Sequence, residues 1–409
     1  MNEPKGTLHS KKISHLELIK KGVERLETEA ELLELLNSSA IQGKPLRVKL
    51  GIDASAPDIH LGFAVVLRKL RQFQDLGHTA VLIVGDFTGR IGDPTGRIKT
   101  RRQLTPEEVQ KNILNYQKQI FKILCPERCE FYYNSQWHDR LKSADIINIA
   151  AHYTLARLIE REDFKTRLQD GTPVFVHEIL YPLFQGYDSI MVKADIELGG
   201  ADQYWNLLVG RELQTRFGQK PQVVITVPLL VGTDGKLKMS KTYGNYIGIT
   251  EPPVEMFGKL MSIPDQVILD YFRLATDKSD DEIFEIEKRL KAGENPRNIK
   301  AELAETIVAM YHSPGAAQTA REEFDRVFKE RKTPTAIPEF SLPPEGINII
   351  ELIVSGGLLP SKSEARRKLQ EGAVYIDGNR ITDLNLVVKP GICPMVLKVG
   401  KRRFLRLKG

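Results

Sequence analysis

Hydrophobic positions along the first half of the chain follow two periods. "LRVKLGID" (46–53) reads as a strand, and in "TAVLIVGD" (79–86) apolar residues run almost unbroken and stop at an acid, the pattern of a parallel strand buried on both faces. Between them, "HLGFAVVLRKLRQFQDLG" (60–77) repeats apolar residues every three or four positions, which predicts an amphipathic helix ending at Gly77. Thr105-Pro106-Glu107-Glu108 predicts a second helix start, with an N-cap, a proline in the first turn and a glutamate three residues after the cap. Helical periodicity dominates from Ser143 to Phe217, interrupted at "DGTP", and "QVVITVPLLVG" (222–232) returns to a strand pattern. Alternating strands and helices predict an α/β fold with a doubly wound parallel sheet that carries an insertion.

Beyond Pro252-Pro253 the pattern is helical to about Lys332, and "RKTPTAIPEFSLPPEG" (331–346) then places four prolines in 16 residues, the composition of a stiff linker. From Ile347 two helical segments precede the strand patterns "AVYIDGNRI", "MVLKVG" and "RRFLRLK", with Asp377-Gly378 as a hairpin turn. The expected organisation is a sheet domain over 1–235 with an insertion at about 105–195. A loop and connector (236–252), a helical domain (253–332), a linker (333–346) and a small α+β module (347–409) follow. No internal repeat is present.

Charge sharpens this division. Twelve of the 59 basic residues but only five of the 53 acidic ones lie in 347–409, so the net charge of +6 is concentrated in the last module. That asymmetry points to a polyanionic partner. No apolar run reaches the length of a membrane span, and the start "MNEPKGTLHSKK" has no apolar core of a signal peptide. Cys125, Cys129 and Cys393 form no disulfide framework, and the C-x3-C pair has no second His/Cys pair nearby. A cytoplasmic location and no membrane partner are expected.

Three stretches offer phosphate chemistry without a Walker loop. "GDFTGRIGDPTGRIKTR" (85–101) fits neither G-x4-G-K-[ST] nor G-x-G-x-x-G, but it follows a buried strand, where ligands of open sheets bind. It carries one acid suited to a cation, Asp93, and two bases, Arg97 and Arg101. The helix after His60 presents its first-turn N–H groups and dipole to an anion, with Ser55 and His60 as added donors and Gly62 permitting close approach. "GTDGKLKMSKTYGN" (232–245) sets Lys238 and Lys241 on a Gly/Asp-rich loop able to close over a triphosphate.

"HLGF" and "KMSKT", in this order and about 180 residues apart, resemble the two signatures of class I aminoacyl-tRNA synthetases. "LYPLFQGYDSI" (180–190), "ELGGADQYWNLLVGREL" (197–213) and "GDFTGRIGDPTGR" are similar to the substrate site of the tyrosyl-tRNA synthetase family. The resemblance covers nearly the whole chain and is nearest to the longer bacterial branch, with a Rossmann-like catalytic domain, an anticodon-side helical domain and a C-terminal S4-like RNA-binding module.

That resemblance implies tyrosine–tRNA ligase activity through a tyrosyl-adenylate, with L-tyrosine, ATP and tRNA(Tyr) as partners. It also implies Mg²⁺ accompanying ATP, no metal held by the protein itself, and a homodimer. It assigns Asp93, Tyr181, Gln185 and Gln203 to the tyrosine ammonium and carboxylate, and Asp188 to the phenolic hydroxyl. Gly51, Asp53, His60, Gly62, Gly200, Asp202, Met239 and Lys241 fall at the ATP side, with Asp202 at the ribose. Ser55, His60, Lys238, Lys241, Arg97 and Arg101 fall where the departing pyrophosphate is held. Lys362, Arg366, Arg367, Lys368, Arg402 and Arg403 are the expected tRNA contacts, and no stacked aromatic set for base reading is evident. The chemistry agrees: an ammonium needs an anion and neutral acceptors, and a buried acceptor for the phenol rejects phenylalanine.

Three positions depart from the family pattern. Phe63 stands for the second signature histidine, Ala54-Ser55 for Pro-Thr, and Lys49 for a tyrosine near the substrate hydroxyl in the shorter branch. Two alternatives stay open on the residues: a tryptophanyl enzyme on the same fold, and an RNA-binding paralogue without catalysis.

Overall fold

The computed structural model describes residues 15–52, 58–93, 115–330, 337–391, 394–400 and 403–408. The predicted helix start at Thr105 lies outside them. Two compact units divide the chain, Met1–Ala320 and Arg321–Gly409.

The first unit is built on six strands: β1 (Arg25–Glu27), β2 (Arg47–Ile52), β3 (Thr79–Val84), β4 (Cys129–Tyr133), β5 (Ile196–Gly200) and β6 (Val223–Val227). Their order is β1-β6-β5-β2-β3-β4, with β1 antiparallel at one edge and the other five parallel. The apolar runs of β3 and β6 are buried as the sequence predicts, because helices cover both faces. Helix Leu61–Asp75 follows β2 and buries Leu61, Val65, Leu67, Leu70 and Phe73 on its apolar stripe.

From β2 the chain winds outward through β3 and β4, then returns to the other side for β5 and β6. The winding reverses between β2 and β5, and their carboxyl ends at Ile52 and Gly200 frame the crevice where an open sheet takes its ligand.

Strand β5 corrects the sequence expectation, which ran helix from Ser143 to Phe217. "IELGG" lacks β-branched residues after Ile196 and contains an acid, yet Glu197 is almost wholly buried in mid-sheet. Tertiary contacts override the local preference there: Lys49 on the adjacent β2 lies 2.8 Å from Glu197 and is itself fully buried. Either side of β5, helices Val176–Val192 and Tyr204–Arg216 pack together, and a Cβ on Gly186 would come within 3.1 Å of the Gly210 Cα.

The expected helical region after Pro252 comprises helices Pro253–Leu260, Ile268–Ala275, Asp280–Lys291, Pro296–Tyr311 and Pro314–Phe328. The first four lie within the first compact unit, and the boundary at Ala320 falls inside the last.

In the second unit, helices Ile349–Ser355 and Lys362–Gln370 pack on a five-stranded sheet. Its order is β10 (Asn379–Ile381), β9 (Val374–Ile376), β12 (Met395–Val399), β13 (Arg403–Lys408) and β7 (Glu339–Ser341), and β8 (Ile347–Asn348) pairs with β11 (Val387–Val388) as a separate two-stranded sheet. Asp377 and Gly378 both take positive φ (48° and 83°) to close the predicted hairpin. Part of the expected linker is strand: β7 pairs in parallel with β13. No helix among the described residues is long and apolar enough to cross a membrane.

Candidate functional site

A cavity of about 350 Å³ opens at the crevice between β2 and β5. Twelve residues expected at the site line it: Gly51, His60, Gly62, Asp93, Tyr181, Gln185, Asp188, Gly200, Asp202, Gln203, Lys238 and Met239. Asp53, Ser55, Arg97 and Arg101 lie outside the described residues. Lys241 is off the cavity wall, with its ammonium 3.8 Å from Asp58 Oδ2 and 5.8 Å from the centre of the Tyr246 ring.

Helix Val176–Val192 supplies one wall. Tyr181, Gln185 and Asp188 are spaced four and three apart, so they share its inward face. Asp188 is buried and accepts three hydrogen bonds: Trp137 Nε1 at 2.8 Å and His138 Nε2 at 2.7 Å, both on Oδ1, and Asn134 Nδ2 at 3.1 Å on Oδ2.

A second polar cluster surrounds Gln203. Its Nε2 donates to Asp93 Oδ2 at 2.8 Å. Asn206 Nδ2 donates to both Gln185 Oε1 and Gln203 Oε1 at 3.2 Å, and Asn206 Oδ1 accepts from Arg161 Nη1 at 2.9 Å. Asn206 and Arg161 are buried and were not anticipated from the sequence. The signal was present for Asn206, which stands three residues after Gln203 on the same helical face.

Lys49 of β2 lines the cavity. Its ammonium meets Glu197 at 2.8 Å, Gln185 O at 2.9 Å and Ser189 Oγ at 2.7 Å, so all three donors are used away from Asp188.

The start of helix Leu61–Asp75 differs from the expectation of free first-turn N–H groups. Leu61 N donates to Ile247 O at 2.9 Å, Gly62 N to Met239 Sδ at 3.3 Å, and Phe63 N to His60 Nδ1 at 3.2 Å. His60 is thus the N-cap of its own helix, and the cap leaves its proton on Nε2. Burial first, and the charge of Lys241 second, push its pKa down to about 4, so the imidazole is neutral at physiological pH. Gly62 makes room for neighbouring side chains, since a Cβ there would lie 3.1 Å from His60 Nδ1 and 3.2 Å from Met239 Cβ.

The lysine loop, expected to be mobile, is held here by a turn network. Asp234 Oδ1 accepts from Lys236 N and Leu237 N, and Asn245 bridges Asp234 Oδ2 (2.7 Å) and Ser240 N (2.8 Å). Lys238 Nζ rests 2.5 Å from Asp202 Oδ2.

In the second unit the expected polyanion contacts Lys362, Arg366, Arg367 and Lys368 lie on helix Lys362–Gln370. Lys362 and Lys368 pair with Glu351 and Glu371 at 2.6 Å, while Arg366 is exposed. Arg403 opens β13, and Arg402 lies outside the described residues. One aromatic feature was missed: Tyr375 and Phe404 flank Lys398 across three strands, at 6.0 and 5.4 Å.

Comparison with known proteins adds independent findings. Residues 42–329 match the family of class I tRNA synthetases for tryptophan and tyrosine (W and Y), and residues 330–405 match the C-terminal domain of SYY-like tyrosine–tRNA ligases. The tyrosine–tRNA ligase of Carboxydothermus hydrogenoformans is 52% identical over 398 residues, covering 96% of this chain and 97% of that protein. The Thermotoga maritima tyrosine–tRNA ligase is 51% identical over 395 residues, covering 96% and 97%. Among solved structures, tyrosyl-tRNA synthetase of Archaeoglobus fulgidus complexed with L-tyrosine superposes with a TM-score of 0.61 at 23% identity, covering 76% of this chain and 99% of that one, a likeness of fold.

Proposed function

The chain belongs to the tyrosine–tRNA ligases of the class I family, and we propose that the cleft between β2 and β5 is where it activates L-tyrosine with ATP before transfer to tRNA(Tyr). One observation carries the assignment of the site: a single cavity holds a buried carboxylate fixed by three donors and, separately, an acid–amide cluster. Tyrosine has a matching group for each, a phenolic O–H and an ammonium.

On this reading Asp188 accepts the phenol O–H. Asp93, Tyr181, Gln185 and Gln203 hold the amino-acid end, with Asn206 fixing the two glutamines. The tyrosine carboxylate attacks the α-phosphate of ATP, releasing pyrophosphate, and the terminal ribose of the tRNA then attacks the acyl carbon. No protein nucleophile is needed; positioning and charge stabilisation carry the rate. Asp202 takes the ribose, while His60 Nε2–H and Lys238 face the polyphosphate, with Ser55, Arg97, Arg101 and Lys241 assigned to it by family resemblance. Mg²⁺ would accompany ATP and would neutralise charge on its phosphates.

The basic second unit binds tRNA, exchanging the ion pairs of Lys362 and Lys368 for phosphates, so binding weakens as salt rises. A cytoplasmic homodimer is part of the same proposal, supported by exposed Ile147, Leu155 and Val176 on the insertion.

Pyrophosphate exchange tests the activity. Exchange with tyrosine, and at most trace exchange with phenylalanine or tryptophan, is the expected result. Exchange driven best by tryptophan would transfer the cleft to the tryptophanyl branch, and none with any of the three would leave an RNA-binding paralogue. Phe63 is read as a working variant of the signature, because its backbone N–H caps onto His60 while its ring lines the cavity. Phe63→His should change adenylate formation by less than about tenfold, since one donor is added beside others already in place. A thousandfold rise in single-turnover rate would show a damaged site instead.

A further inference from the structure

The cavity's acceptor is held by a residue outside the cavity. His138 is buried, and its Nε2 lies 2.7 Å from Asp188 Oδ1. A carboxylate oxygen only accepts, so at that distance Nε2 carries the proton. The other ring nitrogen, Nδ1, is buried with no hydrogen-bond partner among the described residues. The neutral Nε2–H form therefore fits the surroundings: a proton on Nδ1 would be a buried donor with nothing to meet. Aromatic neighbours fix the ring. Phe87 stacks on it at 4.8 Å and 28°, and Phe184 meets it edge-on at 5.2 Å.

Oxygen by oxygen, the carboxylate is unevenly occupied. Oδ1 takes both Trp137 Nε1 and His138 Nε2, which fills its two lone pairs. Among the described residues Oδ2 takes only Asn134 Nδ2, at 3.1 Å. Asn134 lines the cavity, whereas Trp137 and His138 do not, so the unfilled position lies on the cavity side. Asn134 is fixed in turn, accepting from Phe87 N at 2.9 Å and donating to Thr88 Oγ1 at 3.0 Å.

We infer that His138 is a specificity-determining positioning residue: with Trp137 it fills Oδ1, fixes the carboxylate and leaves one Oδ2 lone pair that only a donor on the substrate ring can satisfy. This rests on the reading of Asp188 as the phenol acceptor. It predicts the class of ring accepted. A 4-hydroxyl or 4-amino group fits; a 4-methoxy group, an acceptor without a proton, does not.

The test compares His138→Phe, which keeps the flat ring but removes the donor, with His138→Gln, whose amide N–H restores one. In pyrophosphate exchange with the full chain, His138→Phe should lower the tyrosine-over-phenylalanine ratio of kcat/KM by roughly tenfold or more. The change should appear in KM for tyrosine, with KM for ATP unmoved. His138→Gln should return the ratio to within about threefold of wild type. An unchanged ratio in His138→Phe, or His138→Gln no better than His138→Phe, overturns the inference.

Asp188→Asn separates it from its premise. If Asp188→Asn loses discrimination and His138→Phe keeps it, His138 has no such role but Asp188 still reads the phenol. Discrimination intact in Asp188→Asn removes the premise and the inference together. Should His138→Phe fail to fold, ¹⁵N spectra of histidine-labelled wild-type protein decide, with His138 assigned by its absence from His138→Gln. A proton on Nε2 supports the inference, and a proton on Nδ1 overturns it.

Discussion

Lys238→Ala will slow tyrosyl-adenylate formation by roughly 10²–10³-fold, the usual consequence of removing one donor aimed at transition-state charge. Single-turnover formation of adenylate measures it. The structure adds a second expectation about where the loss falls. Lys238 Nζ lies 2.5 Å from Asp202 Oδ2, so the lysine expected at the polyphosphate and the acid expected at the ribose neutralise one another before ATP arrives. ATP must separate them, giving Asp202 a ribose hydroxyl and Lys238 a phosphate oxygen. Without Lys238, Asp202 is available at once, so ground-state binding of ATP is relieved of that separation. The loss should therefore fall on the rate constant and leave KM for ATP nearly unchanged. A variant whose rate constant is intact while KM for ATP rises would place Lys238 in ground-state binding alone.

What was legible in the sequence follows from how locally each feature is encoded. β3 and β6 are apolar almost throughout, and their pattern alone places them in a buried parallel sheet. Tyr181, Gln185 and Asp188 sit on one helix, where spacing alone gives a shared face. β5 was hidden because its defining residue is an acid. Glu197 belongs in mid-sheet only because Lys49 of another strand neutralises it, 148 positions earlier in the chain. His138 and Asn134 were hidden for a similar reason: their roles depend on where β4 and the Val176–Val192 helix meet, which no periodicity reports. The self-capping of His60 could be suspected from its place before the helix, but the occupants of the Leu61 and Gly62 amides come from residues 239 and 247.

Glu197→Ala will destabilise the first unit by about 3–5 kcal/mol, because it leaves the Lys49 ammonium buried without its counter-charge. Thermal or urea unfolding measures it. Both side chains are essentially inaccessible to water, at 0% and 1% exposure, so solvent cannot replace the lost partner. Ser189 Oγ and the Gln222 amide, which also donate to Glu197, lose their acceptor in the same step. Removing both charges has a different outcome. A buried ion pair replaced by apolar side chains of similar volume is often neutral for stability. Lys49→Met with Glu197→Leu should therefore recover much of the loss, short of the contribution of Ser189 and Gln222.

Recovery of stability need not bring recovery of function. Lys49 also donates to Gln185 O and Ser189 Oγ, which bracket Asp188 on the Val176–Val192 helix. Gln185 belongs to the amino-acid end of the pocket and Asp188 to the phenol end, so this one ammonium braces the stretch of helix that carries both. The double variant should unfold near the wild-type midpoint yet show a KM for tyrosine raised roughly tenfold, the scale of one hydrogen bond made by a charged group. If KM for tyrosine returned together with stability, the pair would serve the core alone. If neither returned, repacking around Gly210 would be the cause, since a Cβ there would already press within 2.8 Å of Gln222 Nε2. A stable double variant with weakened tyrosine binding would mean that the charge in mid-sheet is kept for the geometry of the substrate wall.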